Sequence, residues 1–206
     1  MTTGGATTGP FEAVVLAAGT GSRFGGGKLL APWGEGVLLD AAVAAAFAAP
    51  VRMVTVVTGA DADRVAAAAR TFAERAGQAG RLGVVHAPDY AEGMGASLRA
   101  GAAALPSGAG GVFVFLGDMP RVPHGLAADL AAAVRAGAAA AAPVFAGRRG
   151  NPVLLGADLI PQLLALSGDS GARSILQALG PGLALVEAPD DGVLFDVDER
   201  GDLEGG

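Results

Sequence analysis

Short, continuously apolar runs alternate with alanine-rich helical segments along the chain, and this alternation restricts the fold more than any other feature. Glu12–Ala17 (EAVVLA), Arg52–Thr58 (RMVTVVT), Leu82–His86, Val112–Leu116 (VFVFL) and Ala139–Phe145 have the length and apolar or β-branched make-up of buried strands. Between and after them, Leu38–Ala48 stops before Pro50, Asp61–Ala76 opens on an aspartate and ends at Gly77, and Ala96–Leu105 stops before Pro106. Pro123–Ala136 has the same helical character. The final third reads as a turn from Gly147, helices near Asp158–Leu166 and Ala172–Leu179, and strands near Leu183–Glu187 and Leu194–Val197. Strands that are apolar along their whole length are covered on both faces, so the expected fold is α/β with a mainly parallel, mixed sheet. In such sheets ligands bind beyond the carboxyl ends of the strands. That directs attention to the residues after Ala17, Thr58, His86 and Leu116.

Composition removes several classes of function. With 206 residues the chain is long enough to bury a core without disulfides, and it has no cysteine for a disulfide scaffold, a thiolate metal site or a cysteine nucleophile. A net charge of −6 argues against binding nucleic-acid backbones. The mean hydropathy of +0.47 comes largely from alanine; the apolar runs at 41–50 and 136–146 are too short for a membrane span, which needs about 20 residues. The opening MTTGGATTGP lacks the basic and apolar regions of a signal peptide. It is expected to be a flexible leader over 1–10, with a single domain over 11–206 and a cytoplasmic location. Lys28, Tyr90 and Asn151 are the only residues of their types, while thirteen arginines supply the other positive charge. A type retained once against such a bias is a candidate for chemistry that needs it.

The segment LAAGTGSRFGGGK, Leu16 to Lys28, leaves the first strand and ends on the single lysine. Small residues allow the backbone at Leu16, Ala17, Ala18, Gly19, Thr20 and Gly21 to approach a polyphosphate closely, and successive N–H groups can form an anion nest. Arg23 and Lys28 would neutralise phosphate charge; the alternative is a plain flexible turn. Spacing excludes two familiar phosphate loops. Six residues before Lys28, where a P-loop has glycine, stands Ser22, and Leu29 replaces the metal-binding hydroxyl. Gly19-Thr20-Gly21 is followed by Phe24 instead of the third glycine of a dinucleotide fingerprint, and the second strand ends in Thr58-Gly59 without an acidic residue.

Asp118 follows the strand Val112–Leu116 and reaches the binding edge. A carboxylate beside a triphosphate is unfavourable unless a cation lies between them, and Mg2+ takes one or two carboxylates plus phosphate oxygens and water. A turn or capping role is the alternative. Asp196 and Asp198, two apart, face the same way if extended, although they lie in a generally acidic tail. Glu92-Gly-Met-Gly95-Ala-Ser97 enters a helix through glycines, so its N–H groups can face an anion, or Ser97 can merely cap. Arg148 and Arg149 precede Asn151 in a basic turn suited to holding a phosphate. Asp169 and Arg173 open a further helix. His86 and His124 assemble into neither a Ser-His-Asp set nor a metal site.

Taken in order, LAAGTGSRFGGGKLL, PDYAEGMGASLRAG, LGDMP, GRRGNPVLL, SGDSGAR and FDVD resemble the MobA-like nucleotidyltransferases, in particular the molybdenum cofactor cytidylyltransferase branch. The resemblance implies a three-layer α/β/α Rossmann-like nucleotidyltransferase fold. It implies a nucleotide site at Leu16–Gly21, Arg23, Lys28, Gly95 and Ser97, and catalytic roles for Lys28, Arg23 and Asp118. It also implies Mg2+ held by Asp118 with Asp198 or Asp196, and an acceptor site at Arg149, Asn151, Asp169 and Arg173. In this family LAAG accompanies CTP and LAGG accompanies GTP, so the implied reaction transfers CMP from CTP to molybdopterin and releases pyrophosphate. The product would serve a molybdenum hydroxylase or its maturation factor. The chain departs from the family where Glu199-Arg200-Gly201-Asp202-Leu203 replaces the usual Thr-Pro-Glu-Asp-Leu, where Asn151 replaces a more common histidine, and where Ala87 replaces a polar residue. Two other readings of the same residues are transfer to a sugar, polyol or choline phosphate, and a non-catalytic carrier of the finished cofactor.

Overall fold

The computed structural model describes residues 9–205; most of the expected leader lies outside the described residues. The elements in chain order are β1 (Phe11–Ala17), β2 (Pro32–Trp33), β3 (Gly36–Val37), α1 (Leu38–Ala48), β4 (Val51–Thr58), α2 (Ala62–Arg75), β5 (Leu82–His86), α3 (Met94–Ala103), β6 (Gly111–Leu116), α4 (Leu126–Arg135), β7 (Ala140–Phe145), β8 (Arg148–Arg149), β9 (Val153–Gly156), α5 (Ile160–Leu164), α6 (Arg173–Ala178) and β10 (Leu183–Glu187). The main sheet runs β10-β7-β9-β6-β1-β4-β5, with β8 beside β7. Pairs β1–β4, β1–β6, β4–β5 and β7–β10 are parallel, and β9 runs antiparallel between β6 and β7. The expected α/β fold with a mainly parallel, mixed sheet is therefore observed.

Alternation within the strands divides the core between the two faces. On β1, Ala13, Val15 and Ala17 join the layer of α1, α2 and α4, whereas Val14 joins that of α3, α5 and α6. On β6, Phe113 and Phe115 face the first layer, and Val112 and Val114 the second. Burying each large side chain contributes about 1.5–3 kcal/mol. Small residues let the helices lie close: a Cβ at Gly101 of α3 would come within 2.7 Å of Val14 Cγ1 and 3.0 Å of Val57 Cγ2. Glu12, fully buried in β1, is held by the Arg52 guanidinium at 2.8 Å and the Met53 N–H at 3.0 Å.

Two parts of the final third differ from expectation. β9 forms where only a turn was expected, because Val153–Gly156 finds partners on both sides. The expected strand Leu194–Val197 does not join the sheet: Asp191–Leu194 is a 3-10 turn, and the following residues thread between loops. Their hydrogen bonds explain this. The Asn151 N–H donates to Val193 O at 2.9 Å, and the Val197 N–H donates to Asp118 O at 3.0 Å. The chain leaves β1 towards β4 and β5, then returns to β6 on the other side of β1. This reversal places the loops after β1 and β6 side by side at the carboxyl edge.

Candidate active site

The loop after β1 is shaped by glycines with left-handed backbone. Gly21, Gly25, Gly26 and Gly27 have φ of 59°, 92°, 88° and 66°, values that residues with a Cβ rarely adopt. The Gly26 N–H closes the loop on Gly21 O at 3.0 Å. Phe24 is buried and pins the loop to the core, whereas Gly19, Thr20 and Arg23 are exposed. A 3-10 turn at Lys28–Leu30 then directs the lysine back beneath the loop. Leu16, Ala17, Gly19, Gly21, Lys28 and Asp118 thereby line one small cavity of about 90 Å³.

Asp118 emerges from β6 beside this cavity. Its Oδ2 accepts from Lys28 Nζ at 2.7 Å, and the same ammonium lies 3.7 Å from Asp198 Oδ1. Arg23 donates to Asp198 Oδ2 at 2.5 Å. The two candidate phosphate-binding cations are thus paired with Asp118 and Asp198, two of the three candidate metal-binding carboxylates. Asp196 lies close enough for its acidity to respond: partial burial, then the negative charges of Asp118 and Asp198, raise its pKa above its ordinary value. Asp202 differs. The N–H groups of Glu199 and Asp198 donate to its carboxylate at 2.8 Å each and lower its pKa. It braces the chain just after the acidic pair, where this sequence lacks the usual Thr-Pro.

No set of three or more acidic or histidine side chains stands ready to hold a metal among the described residues. The arrangement fits a divalent ion with most of its ligands elsewhere, because Mg2+ needs only one or two carboxylates when substrate phosphates and water complete its shell. Asp118 and Asp198 are already drawn to a common cation, Lys28.

Next to the glycine loop lies an open cleft of about 650 Å³. Leu16 forms part of its wall, so cleft and small cavity adjoin. Arg149, Asn151, Asp169 and Arg173 all line it, along with Arg148, Met94 and the Ser170–Ala172 loop. Arg148, Arg149 and Arg173 form no ion pair among the described residues. Gly95 and Ser97 are placed differently: the Gly95 N–H donates to Gly168 O at 2.7 Å, and Ser97 is buried in α3. A Cβ at Gly93 or Gly95 would strike the Gly168 backbone, so these glycines let the entry to α3 interlock with the 167–171 loop.

Sequence reasoning missed the packing around the acidic tail. Trp33, on the β2–β3 hairpin, lies 6.4 Å from Phe195 between ring centroids, and the Arg121 guanidinium sits 3.9 Å from the Phe195 ring. Arg200 covers Phe24 at 4.8 Å and so connects the tail to the glycine loop. The single tryptophan was the available signal.

Comparison with known proteins agrees with this fold. Molybdenum cofactor cytidylyltransferase of Escherichia coli (strain K12) is 26% identical over 194 residues, 93% of each chain. The crystal structure of a homologue of Mycobacterium tuberculosis Rv0371c, from Mycobacterium sp. strain JC1, superposes with a TM-score of 0.78 at 28% identity, covering 95% of this chain and 93% of that one. A nucleotidyl transferase from Methanothermobacter thermautotrophicus gives 0.72 at 25% identity, covering 95% of each. Residues 13–183 match the MobA-like NTP transferase domain, and the chain belongs to that family of nucleotidyltransferases.

Proposed function

We propose that this single domain, over 11–206, transfers CMP from CTP to a molybdopterin-type terminal phosphate in the cytoplasm with Mg2+ as cofactor. The observation that carries the reading is the meeting of Lys28 and Arg23 with Asp118 and Asp198 at the joined carboxyl ends of β1 and β6. The LAAG sequence and the cytidylyltransferase relative favour CTP, and the arginine-lined cleft beside the loop suits a phosphate-bearing acceptor.

Lys28 and Arg23 bind the triphosphate, and the backbone from Leu16 to Gly21 approaches its oxygens. Asp118 and Asp198 would hold Mg2+, which when bound supplies positive charge between carboxylates and phosphates. Arg149, Arg173 and Asn151 orient the acceptor from the cleft. An acceptor phosphate oxygen then forms a bond to the α-phosphorus, the bond to the bridging oxygen breaks, and pyrophosphate leaves. The protein contributes alignment and charge stabilisation along this path. The product would pass to a molybdenum hydroxylase or its maturation factor.

The test is a thermal-shift panel of CTP, GTP, ATP and UTP with and without Mg2+, followed by pyrophosphate release with molybdopterin. At 100 times its Kd a ligand stabilises by about 2.7 kcal/mol, which is several degrees in Tm. A Mg2+-dependent shift confined to CTP is expected. A shift confined to GTP refutes the cytidylyl reading. Binding without pyrophosphate release favours a carrier, and release only with a sugar or polyol phosphate reassigns the acceptor. Full release by both Asp118→Ala and Lys28→Ala refutes the assigned roles.

A further inference from the structure

We infer that Arg121 is a positioning residue that fixes the Asp196–Asp198 segment against Asp118; the inference rests on the metal-dependent transfer proposed above. The segment needs such a fixing point. It belongs to no strand, so no regular ladder sets its register, and yet it carries the carboxylates that must meet Asp118 from the opposite end of the chain. Val193 and Val197 are fully buried and set its depth. Phe195, between them, is only half-buried, and the Arg121 guanidinium lies over its ring.

Arg121 stands three residues after Asp118 in the same turn following β6, so any contact it makes to the segment links the two carboxylate-bearing pieces directly. Its guanidinium covers the Phe195 ring at 3.9 Å and reaches the Trp33 ring at 5.8 Å. Trp33 and Phe195 are themselves tilted neighbours. A planar, weakly hydrated cation on two aromatic faces suits arginine better than lysine. The backbone holds the same pieces together: the Val197 N–H donates to Asp118 O at 3.0 Å, and a Cβ at Gly192 would collide with Arg121 O. Through its contact with the Phe195 ring, Arg121 turns the side of the segment that bears Asp196 and Asp198 towards Lys28 and Arg23.

The test measures the metal and nucleotide dependences separately in Arg121→Ala and Arg121→Lys. Pyrophosphate release is titrated with Mg2+ at saturating CTP and with CTP at saturating Mg2+. Isothermal titration of Mg2+ into the CTP-bound protein, without acceptor, gives a readout independent of turnover. For Arg121→Ala the Mg2+ midpoint should rise about two- to fivefold, the ratio an exposed cation–π contact carries. The CTP midpoint at saturating Mg2+ should hold, and Arg121→Lys should recover part of the loss. Phe195→Leu should reproduce the Mg2+ effect without changing any charge.

Equal changes in the Mg2+ and CTP midpoints would overturn the inference, because they would indicate general loosening of the site. So would an unchanged Mg2+ midpoint with a lowered Tm. If Arg121→Ala fails to fold, Arg121→Lys and Phe195→Leu decide. A wild-type protein that binds CTP equally well without Mg2+ refutes the functional reading instead, and is distinguished by being seen before any variant is made.

Discussion

Replacing Lys28 with methionine should move metal and nucleotide affinity in opposite directions. The Lys28 ammonium lies between the two carboxylates proposed to hold Mg2+, 2.7 Å from Asp118 Oδ2 and 3.7 Å from Asp198 Oδ1. Its side chain is 12% exposed and that of Asp118 26%, so solvent only partly screens the pair. A charge-assisted hydrogen bond in such a setting contributes about 1.5–3 kcal/mol. An ion entering the free site has to displace it, which lowers metal affinity by a factor of roughly 10 to 150. Lys28→Met removes that competition, so Mg2+ or Mn2+ should bind the nucleotide-free protein roughly 10- to 150-fold more tightly. CTP at saturating Mg2+ should bind more weakly, because the triphosphate loses a cation. In the wild type each ligand releases the partner that the other needs, so the two should bind cooperatively. Calorimetric titration of metal into free and nucleotide-bound protein measures both effects, with Asp118→Asn as the control that loses metal in either state. Unchanged or weaker metal binding by free Lys28→Met would show that Lys28 does not compete for these carboxylates, and the self-paired description of the site would be wrong.

The remaining predictions concern the frame of the site. Gly59→Ala would place a Cβ against Ala18 O and 2.7 Å from Tyr90 Cγ, at the point where the Ala60 N–H reaches the Ala18 carbonyl. Denaturant unfolding should show a loss of about 1–3 kcal/mol from overpacking, and CTP binding should weaken because Ala18 lies in the loop proposed to hold the triphosphate. Asp202→Ala should lower Tm at pH 7. The N–H groups of Glu199 and Asp198 hold that carboxylate below its ordinary pKa, so its stabilisation is present above about pH 4 and is lost as pH falls through the depressed value. Wild-type and variant Tm curves should therefore converge in acid; a gap that persists there would assign the loss to packing.

The buried strands were legible because their whole length is apolar, so β1, β4, β6 and β7 follow from local pattern. The meeting of the candidate residues at their ends follows from the same pattern, since the strand order brings the loops after β1 and β6 together and thus Lys28 to Asp118. β9 was not legible. Its four residues acquire strand character only from antiparallel partners on both sides, and nothing local announces them. The end of the chain misled in the opposite sense: Leu194–Val197 carries strand-forming residues, yet its hydrogen bonds go to loop atoms at Asp118 and the 3-10 turn before it. Side-chain contacts hold it instead, and the cluster of Trp33, Arg121 and Phe195 joins three distant parts of the chain without a spacing rule.

The single-copy residues gather around the candidate site. Lys28 lines the small cavity under the glycine loop, Asn151 lines the adjoining cleft, and Tyr90 closes on Gly59 beside that loop. The lysine has a physical reason for surviving in an arginine-rich chain. Arg23, exposed above the loop, needs only reach and charge, which an arginine supplies. Lys28 emerges beneath the loop with Gly21 packed on its stem, and a Cβ at Gly21 would already lie 3.1 Å from Lys28 Cβ. A compact ammonium on a thin stem can stand between Asp118 and Asp198 and still turn towards a phosphate. A planar guanidinium would have to fit its fork edge-on into about 90 Å³. The same confinement that suits lysine to this position holds its ammonium between both carboxylates.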